Sequence, residues 1–369
     1  MPVRSISPNS VRRPSVWPGV ILHYWDLLPV KNRESIVTLH EGNTPLLRCP
    51  NLERVINPDI RLYVKLEGLN PTCSFKDRGM TVAISKAVEE GSRAVLCAST
   101  GNTAASAAAY AARAGLKAYV LIPQGRISLG KLSQAMIHGA RVIEVEGSFD
   151  TALRLAKEAT SRFPITLVNS LNPYRLEGQK TAAFEVGDHL GEAPNYHFLP
   201  VGNAGNITAY WKGYKQYLEI GRLASLPKMM GFQAAGAAPI VLGKVVEQPE
   251  TVASAIRIGN PASWQGALTA RDESNGVIDT VTDEEIIAAY KLLANTEGLL
   301  AEPASAVPVA GVIKKQRERL FRKGDTVVCT LTGHGLKDPD VAIRHSAQAM
   351  RISPNLDSLA ALFEREEKK

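Results

Sequence analysis

From about residue 92 onward the chain alternates short, continuously apolar runs with segments of helical pattern, and few architectures accept that order. Arg93–Ala98 reads as a strand, and Thr103–Ala114 as an alanine-rich helix ended by Gly115. Lys117–Ile122 is a strand stopped by Pro123, and Ser128–His138 a helix followed by glycine. Further strands are predicted at Arg141–Val145, Ile165–Val168, Tyr196–Val201, Lys228–Ala234 and Asp325–Leu331. Helices are predicted at Phe149–Arg162, Gln179–Leu190 and Ile207–Leu218, and Thr282 with Glu285 forms a capping box for one running to about Thr296. Strands without polar alternation are buried on both faces, so the class is α/β, with parallel-rich open sheets covered by helices. Ligands in such folds bind beyond the carboxyl ends of the strands. The chemistry is therefore sought just after each strand.

A length of 369 residues exceeds most single cores, so two domains are expected. The expected division is an N-terminal arm at 1–30, partly disordered, and a small α/β domain at about 72–165. Residues 31–71 with 166–345 make a large one, and 346–369 a tail or helix. The first 25 residues carry Arg4, Arg12 and Arg13 with no acid, loosely like a transit peptide, but four prolines argue against an amphipathic helix. The net charge of +7 is spread along the chain, without a basic block or nucleic-acid motif, so no nucleic-acid partner is expected. No run of eighteen apolar residues occurs, so no membrane span is expected. Cys49, Cys73, Cys97 and Cys329 form no C-x-x-C pair and no zinc spacing, which predicts no metal site. Cys97 and Cys329 sit in strand-like runs and read as reduced core thiols, fitting a cytoplasmic setting.

Four segments carry chemistry. In Pro71-Thr-Cys-Ser-Phe-Lys-Asp-Arg-Gly-Met80 a lysine opens a helix. The helix dipole favours anions there, so Lys76 is either surface decoration or an amine needed neutral as a nucleophile. Ala98-Ser-Thr-Gly-Asn-Thr103 gathers hydroxyls, an amide and free N–H groups at a helix start, which serves N-capping and oxyanion binding alike. Pro200-Val-Gly-Asn-Ala-Gly-Asn206 reads as a phosphate cup or a tight strand-to-helix turn. It has neither Walker A nor dinucleotide spacing. In Cys329-Thr-Leu-Thr-Gly-His-Gly-Leu-Lys-Asp338 a threonine hydroxyl ends a buried strand and could meet a ligand heteroatom; His334 has no fixed partner and reads as structural. Glu302-Pro-Ala-Ser-Ala306 reads as the opening of a helix.

Together these segments resemble the fold-type II pyridoxal-phosphate enzymes (tryptophan synthase β-like), and in their order they are most similar to the threonine synthases. The resemblance spans roughly 38–340 and includes Glu41-Gly-Asn-Thr-Pro-Leu46, Val64-Lys-Leu-Glu-Gly68 and Asn169-Ser-Leu-Asn-Pro-Tyr-Arg-Leu-Glu-Gly-Gln-Lys180. It implies pyridoxal 5'-phosphate held by Lys76 as a Schiff base. It implies Asn102 at the ring oxygen, Gly202, Asn203, Ala204, Gly205 and Asn206 around the phosphate, and Thr332 at the pyridine nitrogen. The implied reaction is conversion of O-phosphohomoserine and water to L-threonine and phosphate, with Lys76 moving the protons. The substrate is itself a dianion and needs further cations and donors. Lys65 and Arg175, helped by Ser170 and Asn203, are the candidates for its phosphate, and Ser99 and Thr103 for its carboxylate. A homodimer is the implied assembly. A threonine or serine dehydratase is the nearest alternative, but those enzymes carry a run of glycines where this chain has Gly-Asn-Ala-Gly-Asn. A non-enzymatic anion-binding α/β protein is the alternative of another class.

Overall fold

The computed structural model describes residues 16–124, 129–147 and 149–367. Its strands are β1 (Leu46–Arg48), β2 (Arg61–Leu66), β3 (Ala94–Ala98), β4 (Lys117–Pro123), β5 (Arg141–Val145), β6 (Ile165–Leu167), β7 (Tyr196–Pro200), β8 (Lys228–Ala234), β9 (Val277–Val281) and β10 (Thr326–Leu331). They form two sheets, one ordered β1-β2-β10-β7-β8-β9 and one β5-β4-β3-β6. Every pairing is parallel except β1 with β2. Both faces of the central strands are covered, as their apolar composition requires: β3, β7 and β10 are buried at every position.

Each sheet has one point where the strand order reverses. In the four-stranded sheet the chain goes from β3 outward to β4 and β5, then returns to the other side of β3 as β6. In the six-stranded sheet it goes from β7 to β8 and β9, then returns beside β7 as β10. Loops leaving two such strands diverge and open a crevice at their carboxyl ends. The Ser99–Asn102 turn follows β3 and Asn169–Ser170 follows β6. The 202–206 loop follows β7 and Thr332 follows β10. Three of the four segments, 98–103, 200–206 and 329–338, therefore stand at the two switch points, while the Lys76 segment opens the helix that follows β2.

Packing explains the helices. Asn102–Arg113 buries Ala104, Ala105, Ala107, Ala108, Ala109 and Ala111, whose small side chains let the helix lie close on the smaller sheet. The larger core gathers Phe184, Val201, Ile207, Tyr210, Trp211 and Tyr214 around the six-stranded sheet. Part of the stretch read as a partly disordered arm is ordered from residue 16 onward. Val20, Ile21, Tyr24, Leu28 and Val30 are buried in that larger core, and burying such side chains outweighs the prolines before them. Residues 1–15 and Ser128 lie outside the described residues.

The helix predicted at Gln179–Leu190 is Thr181–Leu190, and a further short helix that the pattern did not show, Pro173–Gln179, precedes it. This short helix begins with a proline and is capped by the Asn172 side chain. One compact unit runs to Asp338 and Pro339–Lys369 forms another, which starts earlier than the tail read from the sequence. That second unit carries helices Pro339–His345 and Leu356–Glu367. No helix among the described residues is long and apolar enough to cross a membrane.

The helix beginning at Lys76 packs on Pro173–Gln179 with almost no space between backbones. A Cβ on Gly178 would lie 1.8 Å from the Arg78 carbonyl oxygen. Gly178→Ala is therefore expected to destabilise the protein by about 2–3 kcal/mol through overpacking. Gly221→Ala, with φ +72° but nothing near its Cβ, is expected to cost about 1 kcal/mol. Urea denaturation of the two variants measures both.

Candidate active site

The site is built around the start of the helix Lys76–Glu89. The preceding loop turns through Cys73, a non-glycine residue at φ +65°. It is tied to the end of β10: the Phe75 amide donates to the Thr332 carbonyl at 2.9 Å, and the His334 amide to the Cys73 carbonyl at 3.0 Å. The next two side chains anchor the helix start from opposite sides. Buried Asp77 accepts from the Thr72 amide (2.7 Å), the Thr72 hydroxyl (2.6 Å) and the Ser106 hydroxyl (2.5 Å). Burial raises its carboxyl to about 6 against the opposing pull of those donors. Buried Arg78 meets two carboxylates, donating from Nε to Glu67 Oε2 and from Nη1 to Glu185 Oε1, both at 2.6 Å. Nη2 adds Glu67, Glu185 and the Thr44 hydroxyl.

Between these anchors stands Lys76. Its Nζ lies 4.2 Å from the Phe75 ring centroid, and it donates no hydrogen bond among the described residues. Burial pushes the amine down and Arg175 pushes it further, while Glu302 pulls it part of the way back, to about 7. A large fraction is therefore free base at neutral pH, which a nucleophile or proton carrier requires.

Asn102 opens the helix after β3, and its Nδ2 donates to both carboxylate oxygens of Glu302, at 3.3 and 3.2 Å. Thr332 is buried, with its hydroxyl 3.1 Å from that of Ser305, which also accepts from the Gly333 amide at 2.9 Å. The 202–206 loop leads into helix Gly205–Glu219 through Ala204, held left-handed at φ +63°, and no side chain caps that helix end. The Asn203 side chain accepts from the Ala262 amide at 2.6 Å and donates to the Ser170 hydroxyl, so the loop after β7 is joined to the loop after β6.

The substrate candidates separate. Arg175 is 1% exposed; Nη1 donates to the Val168 carbonyl, Nε has no partner, and no carboxylate pairs with it among the described residues. Burial lowers its guanidinium to about 10, and its field reaches Lys76. Lys65 is not a free cation, which corrects the sequence reading. Its Nζ is consumed by Glu185 Oε2 and the Thr44 carbonyl, both at 2.6 Å, because the buried Arg78 cluster needs that charge. The Ser99 hydroxyl accepts from the Gly101 amide at 3.2 Å, a turn contact, and Thr103 is half-buried in the first helical turn. Sequence reasoning passed over Glu302 and Ser305 by treating their motif as a helix opening. Glu302 does precede helix Pro303–Arg317, yet its side chain makes no capping bond.

Residues 37–333 match the family described as pyridoxal-phosphate dependent enzyme. The chain belongs to the pyridoxal-phosphate-dependent enzyme family. It is similar to a threonine synthase of Synechocystis, 54% identical over 96% of both chains. Another of Halalkalibacterium halodurans is 58% identical over 92% of this chain and 96% of the relative. Its fold resembles the solved threonine deaminase isoform 2 of Solanum lycopersicum, with TM-score 0.72 and 21% identity, covering 89% of this chain and 94% of that one.

The protein thus uses pyridoxal phosphate, and its residues fit the group. An amine without a partner, an uncapped helix end turned by Ala204, and a hydroxyl pair at the last strand's end lie at the two switch points.

The Arg78 cluster makes two predictions. Glu185→Ala, leaving buried cations unpaired, is expected to cost about 3–5 kcal/mol in urea denaturation. Burial alone would raise the Glu185 carboxyl, but Arg78 and Lys65 take it from 4.5 down to about 2. Its contribution is complete above the unfolded value and is lost as pH falls through the folded one. The stability gap between wild type and Glu185→Gln should therefore narrow as pH is lowered from about 4.5 toward 2.

Proposed function

We propose that the protein is a threonine synthase, converting O-phosphohomoserine and water to L-threonine and phosphate. The carrying observation is the buried, carboxylate-free guanidinium of Arg175 beside the Lys76 amine, joined to the neighbouring Ser170–Asn203 pair by the same β6 loop. A cofactor phosphate cup alone does not require it. A substrate that carries its own dianion does, since such a charge is bound by charge-assisted donors. The high identity to curated threonine synthases along nearly the whole chain supports the same reading.

In this reading Lys76, Asn102, Gly202, Asn203, Ala204, Gly205, Asn206 and Thr332 hold the cofactor, which when bound supplies an electron sink for proton removal beside the amino group. Amides at the start of the 205–219 helix receive its phosphate. Thr332, with Ser305 behind it, offers a neutral hydroxyl to the ring nitrogen, so the ring is not held as a strong cation. That places more of the work on Lys76. Its Nζ takes the proton from the α-carbon, passes it on, and as free amine again takes one from the β-carbon, which the value near 7 suits in both directions. Arg175 neutralises and Ser170 donates a hydrogen bond to the phosphate departing from the γ-carbon. Ser99 and Thr103, at the turn after β3, receive the substrate carboxylate.

We also read about 72–165 as a small domain and the rest of the unit ending at Asp338 as a large one, because the four-stranded sheet takes every strand from 94–167. A homodimer and a cytoplasmic setting, the latter fitting four unpaired cysteines, complete the reading.

Phosphate release from O-phosphohomoserine tests it. Wild type is expected to release phosphate and form threonine, and Lys76→Ala to do neither at a measurable rate. Arg175→Ala should raise KM for O-phosphohomoserine at least about tenfold, the cost of one lost charge-assisted contact. Release of ammonia from threonine with no reaction on O-phosphohomoserine would favour a dehydratase and overturn the proposal.

A further inference from the structure

We propose that Glu302 is a positioning residue of the cofactor site: its buried carboxylate fixes the amide of Asn102 and faces the Lys76 amine. The inference rests on the cofactor site proposed at Lys76 and Asn102, and not on the identity of the substrate.

Glu302 is 5% exposed and forms no ion pair among the described residues. Burial raises its carboxyl against the opposing pull of Asn102, Lys337 and Lys76, and a carboxylate buried without a direct ion pair persists only where something requires it. Helix capping does not, because the side chain makes no bond to the amides of the helix it precedes. The backbone holds it firmly instead. The Glu302 amide donates to the Gly333 carbonyl at 3.1 Å, and the Ser305 amide to the Glu302 carbonyl at 2.8 Å. The carboxylate lies directly on Gly333, where an added Cβ would be 2.3 Å from Oε1. The residue is thus aimed from the end of β10, across the crevice, at the helix after β3.

Its hydrogen bonds have a definite consequence. An amide nitrogen carries two protons. The single Nδ2 of Asn102 reaches both oxygens of Glu302 at similar distances, the geometry of one shared proton. The second proton remains for a ring oxygen, and the direction in which it points is set by Glu302. The charged groups around the carboxylate are Lys337, Lys76 and Asp338, with Asn102 as the neutral donor. Those around the Lys76 amine are Arg175 and Glu302. Glu302 is therefore the only acid of the two groups acting on that amine, and its charge favours the protonated form against burial and Arg175.

The test uses apoenzyme prepared from the full chain as wild type, Glu302→Gln, Glu302→Ala, Asn102→Ala and the double alanine variant. Pyridoxal phosphate affinity is read by absorbance titration. The pH midpoint for labelling Lys76 with an amine reagent is read by mass spectrometry. Glu302→Ala and Asn102→Ala are each expected to weaken the cofactor about tenfold, and the double variant by no more than about threefold beyond the worse single one, because the pair acts as a unit. Glu302→Gln keeps an acceptor for Nδ2 and should retain most of the affinity. Without the opposing charge, its Lys76 labelling midpoint should fall by about half a pH unit or more. Losses that multiply in the double variant, or a midpoint unchanged in Glu302→Gln, would overturn the inference and leave the site standing. Wild type whose Lys76 is not protected from labelling by the cofactor would overturn the site and the inference together. If the alanine variants do not fold, the glutamine midpoint alone decides.

Discussion

The arrangement of the site depends on where one guanidinium goes. Arg78 is fully enclosed and satisfied by Glu67, Glu185 and the Thr44 hydroxyl, with Lys65 supplying a second positive charge. Two cations and two carboxylates make the cluster neutral, and each charge lies within hydrogen-bond reach of an opposite one. Such a group gains little net stability over an apolar core, but it tolerates only one geometry. Glu67 follows β2, Arg78 belongs to the Lys76 helix, and Glu185 lies on helix Thr181–Leu190. Locking these three elements fixes the helix axis. On the opposite side Asp77 takes three donors from Thr72 and Ser106 and fixes the rotation about it. The side chain just before them, Lys76, has no hydrogen-bond partner among the described residues.

That division of labour explains a pattern in the charges. The strongly paired groups of the motif are structural, and the weakly paired ones face the crevice. Arg78 and Lys65 are saturated, whereas half-buried Lys76 and buried Arg175 and Glu302 have no ion pair among the described residues. Unpaired buried charges destabilise a fold, and here they collect at the mouths of both switch points. The site has the composition of a place where charges arrive with the ligands, and the proposed function fills it with a cofactor dianion at the 205–219 helix start and a further anion at Arg175.

The sequence made the alternation of strands and helices legible because the central strands are buried on both faces and show no regular polar alternation. It also made the crevice segments after β3, β7 and β10 legible, because each is a turn immediately after a strand. It was less informative where a residue's meaning depends on a distant partner. Lys65 looked like a free cation in Val64–Gly68, but the carboxylate that consumes it lies on a helix 120 residues later. Glu302 looked like part of a helix opening, since proline follows it, and only the fold brings it against Asn102, 200 residues earlier in the chain. Helix Pro173–Gln179 was hidden for a local reason: it is short and starts at a proline, so its apolar periodicity never completes two turns. The N-terminal segment was obscured in the opposite way. Its prolines and arginines spoke for disorder, while Val20, Ile21 and Tyr24 gain enough from burial to hold the chain in place from residue 20 onward.

The interleaving of the two sheets has a physical reason of its own. A helix start can present only its first few amides to an anion, and one strand end can present only one or two side chains. Recognition of a ring oxygen, a ring nitrogen and two separate phosphates therefore exceeds what one switch point offers. Placing two reversals within one compact unit supplies four diverging loops, from β3, β6, β7 and β10, without lengthening any of them. The contacts across the crevice show the cost of that solution. Asn203 must reach Ser170, Phe75 must reach Thr332, and Asn102 must reach Glu302, so each side of the site is completed by a residue from the other. A substitution at one switch point is then felt at the second, and the lysine that lies between them reports on both.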